Sequence, residues 1–130
     1  MKLRQGIHGD LTLSNILFKT DHLYLLDFLD CYVESPLQDI VKLRQDTCFG
    51  WSLELYQAEF NWAKTQIALR YLDRQIEAAF RRDGWQARHY ELFQLVNLMR
   101  VLPYCTEART ERLIIRSLDQ MLARRAGHFG

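Results

Sequence analysis

Up to about Pro36 the chain is written in short phrases. Ile16-Leu17-Phe18 and Leu23-Tyr24-Leu25-Leu26 are apolar runs separated by the polar Lys19-Thr20-Asp21-His22, the pattern of two short strands joined as a hairpin. Beyond Ser35 the pattern lengthens into helical periods. Ser35 suits an N-cap, Pro36 the first helical position, Leu37, Ile40, Val41 and Leu43 mark one face, and Gly50 offers a stop. Ser52 is suited to cap the next stretch, where Leu55, Tyr56, Glu59, Trp62, Ala63, Gln66, Ile67 and Tyr71 follow a three-to-four spacing, with Gly84 closing one long helix or two. Residues 90–102, ended by Pro103, and residues 106–126, with Leu113, Ile114, Leu118, Met121 and Leu122 turned inward, complete the series. The fold class this predicts is α+β and mostly helical: a short β-hairpin followed by a helical bundle.

Composition adds little to that picture. With 48% hydrophobic and 25% charged residues in 130, the chain matches one soluble globular domain. Residues 1–50 carry five Lys/Arg against seven Asp/Glu and residues 51–130 twelve against nine. The halves are thus net −2 and +3, too little to imply nucleic-acid or membrane binding through charge. Cys31, Cys48 and Cys105 match no zinc spacing and leave an odd thiol if two pair, so a reducing cytoplasm is the expected setting. No run approaches the roughly 18 apolar residues of a membrane span, and Met1 to Gly6 has no apolar run behind it that would make a signal peptide.

Chemistry concentrates in His8-Gly9-Asp10-Leu11-Thr12-Leu13-Ser14-Asn15-Ile16-Leu17-Phe18, just before the first strand. Phosphoryl transfer needs a carboxylate to orient and accept the proton of the attacking hydroxyl, and oxygen ligands to hold magnesium against the phosphates. Asp10 and Asn15 are five positions apart, the separation of Asp and Asn in the protein-kinase loop H-R-D-x-x-x-x-N. Asp27, twelve residues beyond Asn15 at the end of the second strand, stands where a kinase places its other magnesium-binding carboxylate. Taken singly these residues read as ordinary polar turns and strand ends; their joint order and spacing favour kinase ancestry. His22, His89 and His128 are isolated, and no set of His and Cys has zinc spacing.

The string His-Gly-Asp-Leu-x-x-x-Asn-Ile-Leu at residues 8–17, then Leu26-Asp27-Phe28, then Ser35-Pro36-Leu37-x-Asp39-Ile40, resembles the aminoglycoside phosphotransferase and choline kinase family, small-molecule kinases that use ATP and Mg2+. The resemblance implies a protein-kinase-like C-lobe in which residues 8–18 form the catalytic loop, 25–30 the metal segment and 35–126 a helical substrate-side subdomain. It makes Asp10 the catalytic base, Asn15 and Asp27 the metal ligands, His8 a structural member of the loop and Asp39 a brace at the start of the following helix. Asp30 matches an acidic position common in the metal segment, whereas Leu29 departs from the acidic residue often beside it.

Only nine residues precede Asp10, so the N-terminal ATP-binding lobe is expected to be absent from this chain. The chain then reads as a fragment or a separately encoded remnant, inactive alone and needing a missing N-lobe chain or self-association. The alternative is a non-catalytic helical interaction module that keeps the loop by descent. The acceptor is a small-molecule hydroxyl compound: a metabolite, a sugar or a choline-like alcohol. The +3 of residues 51–130 disfavours a polycationic aminoglycoside. Trp51, Tyr56, Trp62 and Trp85 could stack on a sugar or cage a quaternary amine, although ordinary core packing is the favoured reading of them.

Overall fold

The computed structural model describes residues 6–30, 35–55, 59–82 and 87–126. A 3-10 turn at Leu13–Asn15 leads into β1 (Ile16–Lys19), which pairs antiparallel with β2 (His22–Leu25) in the register Ile16↔Leu25 and Lys19↔His22. The turn is Thr20-Asp21, with Thr20 in the left-handed region at φ 55°. Five helices follow: α1 (Pro36–Phe49), α2 (Trp51–Leu55), α3 (Trp62–Arg82), α4 (Ala87–Val101) and α5 (Ala108–Ala126). The molecule is mostly helical with one two-stranded hairpin, the expected fold class. No helix among the described residues is long and apolar enough to cross a membrane.

α1 begins and ends as its sequence dictates. The Ser35 hydroxyl accepts from the Leu37 amide at 3.3 Å, Pro36 fills the first turn where no amide partner is needed, and Gly50 takes the left-handed conformation (φ 70°) while its amide reaches back to Asp46 and Gln45. α1 is the hub of the bundle. Leu37 and Val41 meet Phe80 of α3 and Tyr90 of α4 in a buried cluster flanked by Ile40 and Phe93, and the Phe80 and Tyr90 rings meet edge to face at 5.5 Å. Leu98, Leu113 and Ile114 are buried beyond it.

Two expected faces are corrected. The span from Ser52 is two helices, one of the two readings it allowed, but Ser52 lies inside α2 instead of capping a helix. On α3 the inward residues are Thr65, Leu69, Asp73, Ile76 and Phe80, whereas Trp62, Ala63, Gln66, Ile67 and Tyr71 are exposed, as is Glu59, which precedes the helix. Apolar residues occur all round this helix, so two stripes compete. The winner carries Asp73, whose partner on α1 is charged: Arg44 makes a two-pronged contact at 2.9 and 2.8 Å. On α5 Leu113 and Ile114 are buried and Leu118 and Met121 half-buried, but Leu122 is exposed in the last turns.

The Arg44–Asp73 pair is a polar anchor inside the bundle. Thr47 and Cys48 also donate to Asp73, at 2.7 and 3.1 Å, and the Arg44 guanidinium lies 4.8 Å over the Tyr90 ring. Burial works against both charges. The hydrogen bonds outweigh it, so the Asp73 carboxyl is held below its ordinary range and the Arg44 guanidinium above its own. Burial, in turn, pushes the Cys48 thiol up to about 12, which keeps it protonated and unreactive.

Candidate active site

Three charged side chains on one face of α1 carry the loop that precedes the hairpin. Asp39, Lys42 and Asp46 are spaced three and four apart, which stacks them along one side of a helix. The Asp39 carboxylate accepts the amides of His8 (2.7 Å) and Gly9 (2.8 Å). Lys42 Nζ lies 3.0 Å from an Asp10 carboxylate oxygen. Asp46 accepts the Leu13 amide at 2.6 Å and, with its other oxygen, the Ser52 amide at 2.7 Å. Asp46 is nearly inaccessible, at 1%, and ties the loop to α2 as well as to α1. A loop of this length has too few internal backbone bonds to be rigid alone; carboxylates accepting amides are strong, directional restraints.

Within the loop the groups converge on Asp10. The Asn15 side-chain amide donates to the Asp10 carbonyl (2.9 Å) and reaches its carboxylate at 3.3 Å, closing the five-residue separation read from the sequence. With its amide nitrogen so engaged, Asn15 retains its side-chain oxygen for a cation. His8 is buried; its Nδ1 accepts the Asp10 amide at 3.3 Å and its ring lies 4.4 Å from that of Phe28. Its Nε2 is buried with no hydrogen-bond partner among the described residues.

The segment that carries Asp27 is tied to the loop through the backbone. The Leu26 amide donates to the Asn15 carbonyl and the Leu29 amide to the His8 carbonyl, both at 2.9 Å. Residues 26–29 are thereby laced against the two ends of the loop. Between those ties Asp27 sits exposed at φ 55°, a left-handed conformation that Asp and Asn tolerate best among residues with a side chain. Asp30 is exposed beyond Leu29, and none of the contacts that bind Asp10, Asn15, His8 and Asp39 together includes it.

Lys42 and Asp46 escaped the sequence reading because both fall in a stretch scanned for apolar positions. Their signal was there: an acid, a base and an acid at helical spacing, beginning at a residue already assigned to brace the loop. Of the aromatic candidates, Trp51 lines a cavity of about 270 Å3 that Asp10 also lines. Trp62 lines a separate cavity of about 310 Å3 that contains no residue of the loop. Tyr56 and Trp85 lie outside the described residues.

The oxygen donors suit a hard cation that keeps other ligands of its own. Among the described residues no group of three or more His, Cys, Asp or Glu could enclose a metal ion; an exposed carboxylate and a carboxamide oxygen fit magnesium, which prefers one or two protein oxygens plus phosphates and water. The Asp10 carboxylate is fixed beside Asn15, at the foot of the hairpin. The family model for the phosphotransferase enzyme family matches residues 3–75, more than half of the chain and all of the loop, hairpin and α1. The chain belongs to that family. No curated protein and no solved structure gives a significant match. Members of the family in general use ATP and Mg2+, and α4 and α5 lie beyond the matched span.

Proposed function

We propose that this chain is the acceptor-side catalytic part of an ATP- and magnesium-dependent kinase that phosphorylates a hydroxyl of a small molecule in the cytoplasm. The observation that carries the reading is the Asp10 carboxylate, held by Asn15 and Lys42 in a loop whose backbone is pinned by Asp39 and Asp46. Asp10 orients the acceptor hydroxyl and takes its proton. Asn15 and Asp27 hold magnesium, which when bound would neutralise the charge of the transferring phosphoryl group. His8 and Asp39 fix the loop and touch no reacting atom. Asp30 is assigned no step.

Positioning supplies most of the rate in phosphoryl transfer. The described residues provide a base and two metal oxygens, but no clamp for the nucleotide. We therefore assign the nucleotide lobe to further sequence or to a second chain, seated on the hairpin, where Leu17, Phe18, Leu23 and Phe28 are exposed. The chain by itself is expected to give no measurable transfer from ATP to choline, ethanolamine, simple sugars or aminoglycosides.

The test uses Mn2+, a spectroscopic stand-in for magnesium, with ATP, on a form of the protein that carries the nucleotide lobe. Asp27→Asn is expected to weaken Mn2+–ATP binding about tenfold or more, while Asp10→Asn leaves it within twofold. In any form that turns over, Asp10→Asn is expected to cost about a hundred- to ten-thousandfold in rate. Equal Mn2+–ATP binding by wild type and Asp27→Asn would remove the metal assignment, and normal turnover by Asp10→Asn the base.

A further inference from the structure

The cavity beside Asp10 is unusual for the chemistry of its walls. Among the described residues Asp10 is its single carboxylate, and that carboxylate already has Lys42 as counter-ion at 3.0 Å. Every other polar group on the wall can donate. Lys42 is 8% exposed, and its ammonium has three N–H bonds, of which the Asp10 contact takes one. Gln45 presents its oxygen to Asn97 at 2.6 Å, which leaves its NH2 as the group available to the cavity. Thr12 and Ser14 share one hydroxyl–hydroxyl bond of 2.8 Å. Ser52 completes the ring, held by its amide to Asp46.

A cation entering here meets a buried ammonium and no free carboxylate. An acceptor-rich ligand meets donors from three elements, with Trp51 and Val101 as the apolar side on which a ring can lie. At about 270 Å3 the space is just below the range for drug-sized ligands, which suits one sugar ring and not an oligosaccharide.

We infer that this cavity is the acceptor subsite and that Lys42 makes it selective for a monosaccharide-sized polyol bearing an acidic group, carboxylate or phosphate, against neutral sugars and against amines such as choline. The inference rests on the reading of Asp10 as the base. Lys42 has two tasks in it: it balances Asp10 in the empty cavity, and it offers its remaining N–H bonds to the acid of the ligand. Burial magnifies the selection, because a charge placed beside a desolvated ammonium interacts more strongly than in water.

The experiment is a titration of the 15N-labelled full chain, without nucleotide, with glucuronate, glucose 6-phosphate, glucose and choline in turn. At least one of the two acids is expected to bind about tenfold or more tightly than glucose, shifting the amides of Thr12, Ser14 and Ser52, with choline weakest; the stronger acid identifies carboxylate or phosphate as the preferred group. Lys42→Met should erase the advantage of the acids over glucose, Lys42→Arg should keep it within threefold, and Trp51→Ala should weaken all sugars alike. Should Lys42→Met not fold, Lys42→Gln, which retains a hydrogen bond to Asp10, serves the same comparison. Choline binding as tightly as the acids, an acid advantage that survives loss of Lys42, or no probe moving those amides would each overturn the inference. Failure of the kinase reading is visible separately, in Mn2+–ATP binding, by the form that carries the nucleotide lobe, that ignores Asp27→Asn; a protein that selects acids through Lys42 yet fails that test is a sugar-acid binding module.

Discussion

The loop at residues 8–15 and the hairpin at residues 16–25 are consecutive in the chain and opposite in what holds them. The loop is bound to the rest of the molecule by charged side chains from α1: four of its contacts end on Asp39, Lys42 or Asp46. The hairpin is bound chiefly to itself. Its strands pair with each other, and every residue from Leu17 to Leu25 is exposed. Polar restraint thus fixes the loop and its Asp10 carboxylate, while the apolar ribbon beside them contributes little to the fold. The Asp10 carboxylate is held from α1 and from within the loop, and not by the strands of the hairpin.

The comparison can be broken most forcefully from behind α1. Arg44→Ala strands Asp73 inside the bundle and is expected to cost about 3–5 kcal/mol in urea unfolding. Acid reads the same pair. Because the folded Asp73 carboxyl is held below its ordinary value, its contribution is complete above the unfolded value of about 3.9 and is lost as pH falls toward the folded one. Stability should therefore decline below about pH 4, and Asp73→Asn should flatten part of that slope.

Asp46→Ala comes next, at about 2–3 kcal/mol, since it leaves the Leu13 and Ser52 amides without their acceptor. Asp39→Ala is expected to cost about 1–2 kcal/mol and to be read best by hydrogen exchange, with the His8 and Gly9 amides losing protection before any amide of α4. Smallest are changes on the ribbon: Phe18→Ser and Leu23→Ser should move stability by no more than about 0.5 kcal/mol. A larger loss there, in the monomer, would mean that the hairpin is part of the core.

Local chemistry was legible wherever a residue announces itself by type. Ser35, Pro36 and Gly50 bracket α1 as read, because capping and left-handed glycine are decided within a turn of chain. The contact of Asp10 with Asn15 was legible from a spacing that loop closure enforces. The α3 face was not, because Ile67 and Tyr71 satisfy a helical period as well as Leu69 and Ile76 do; the choice fell to Arg44, a distant residue on another helix. Lys42 and Asp46 were hidden for a related reason. A lysine and an aspartate in a helix are ordinarily solvent-facing, and only the packed loop reveals that this face of α1 is an interior one.

One consequence of the backbone at Asp27 concerns which substitutions the position can accept. The left-handed conformation there favours Gly, Asn and Asp, and the proposed metal role demands a short carboxylate. Only aspartate meets both requirements. Asn is accordingly the clean probe, removing charge without disturbing the chain path, and Gly would relax the path while deleting the ligand. Glu, the substitution that looks mildest on paper, keeps the charge but should cost about 1 kcal/mol in backbone strain and carry its oxygens too far. Among variants drawn at random, Glu at this position should behave no better than Asn.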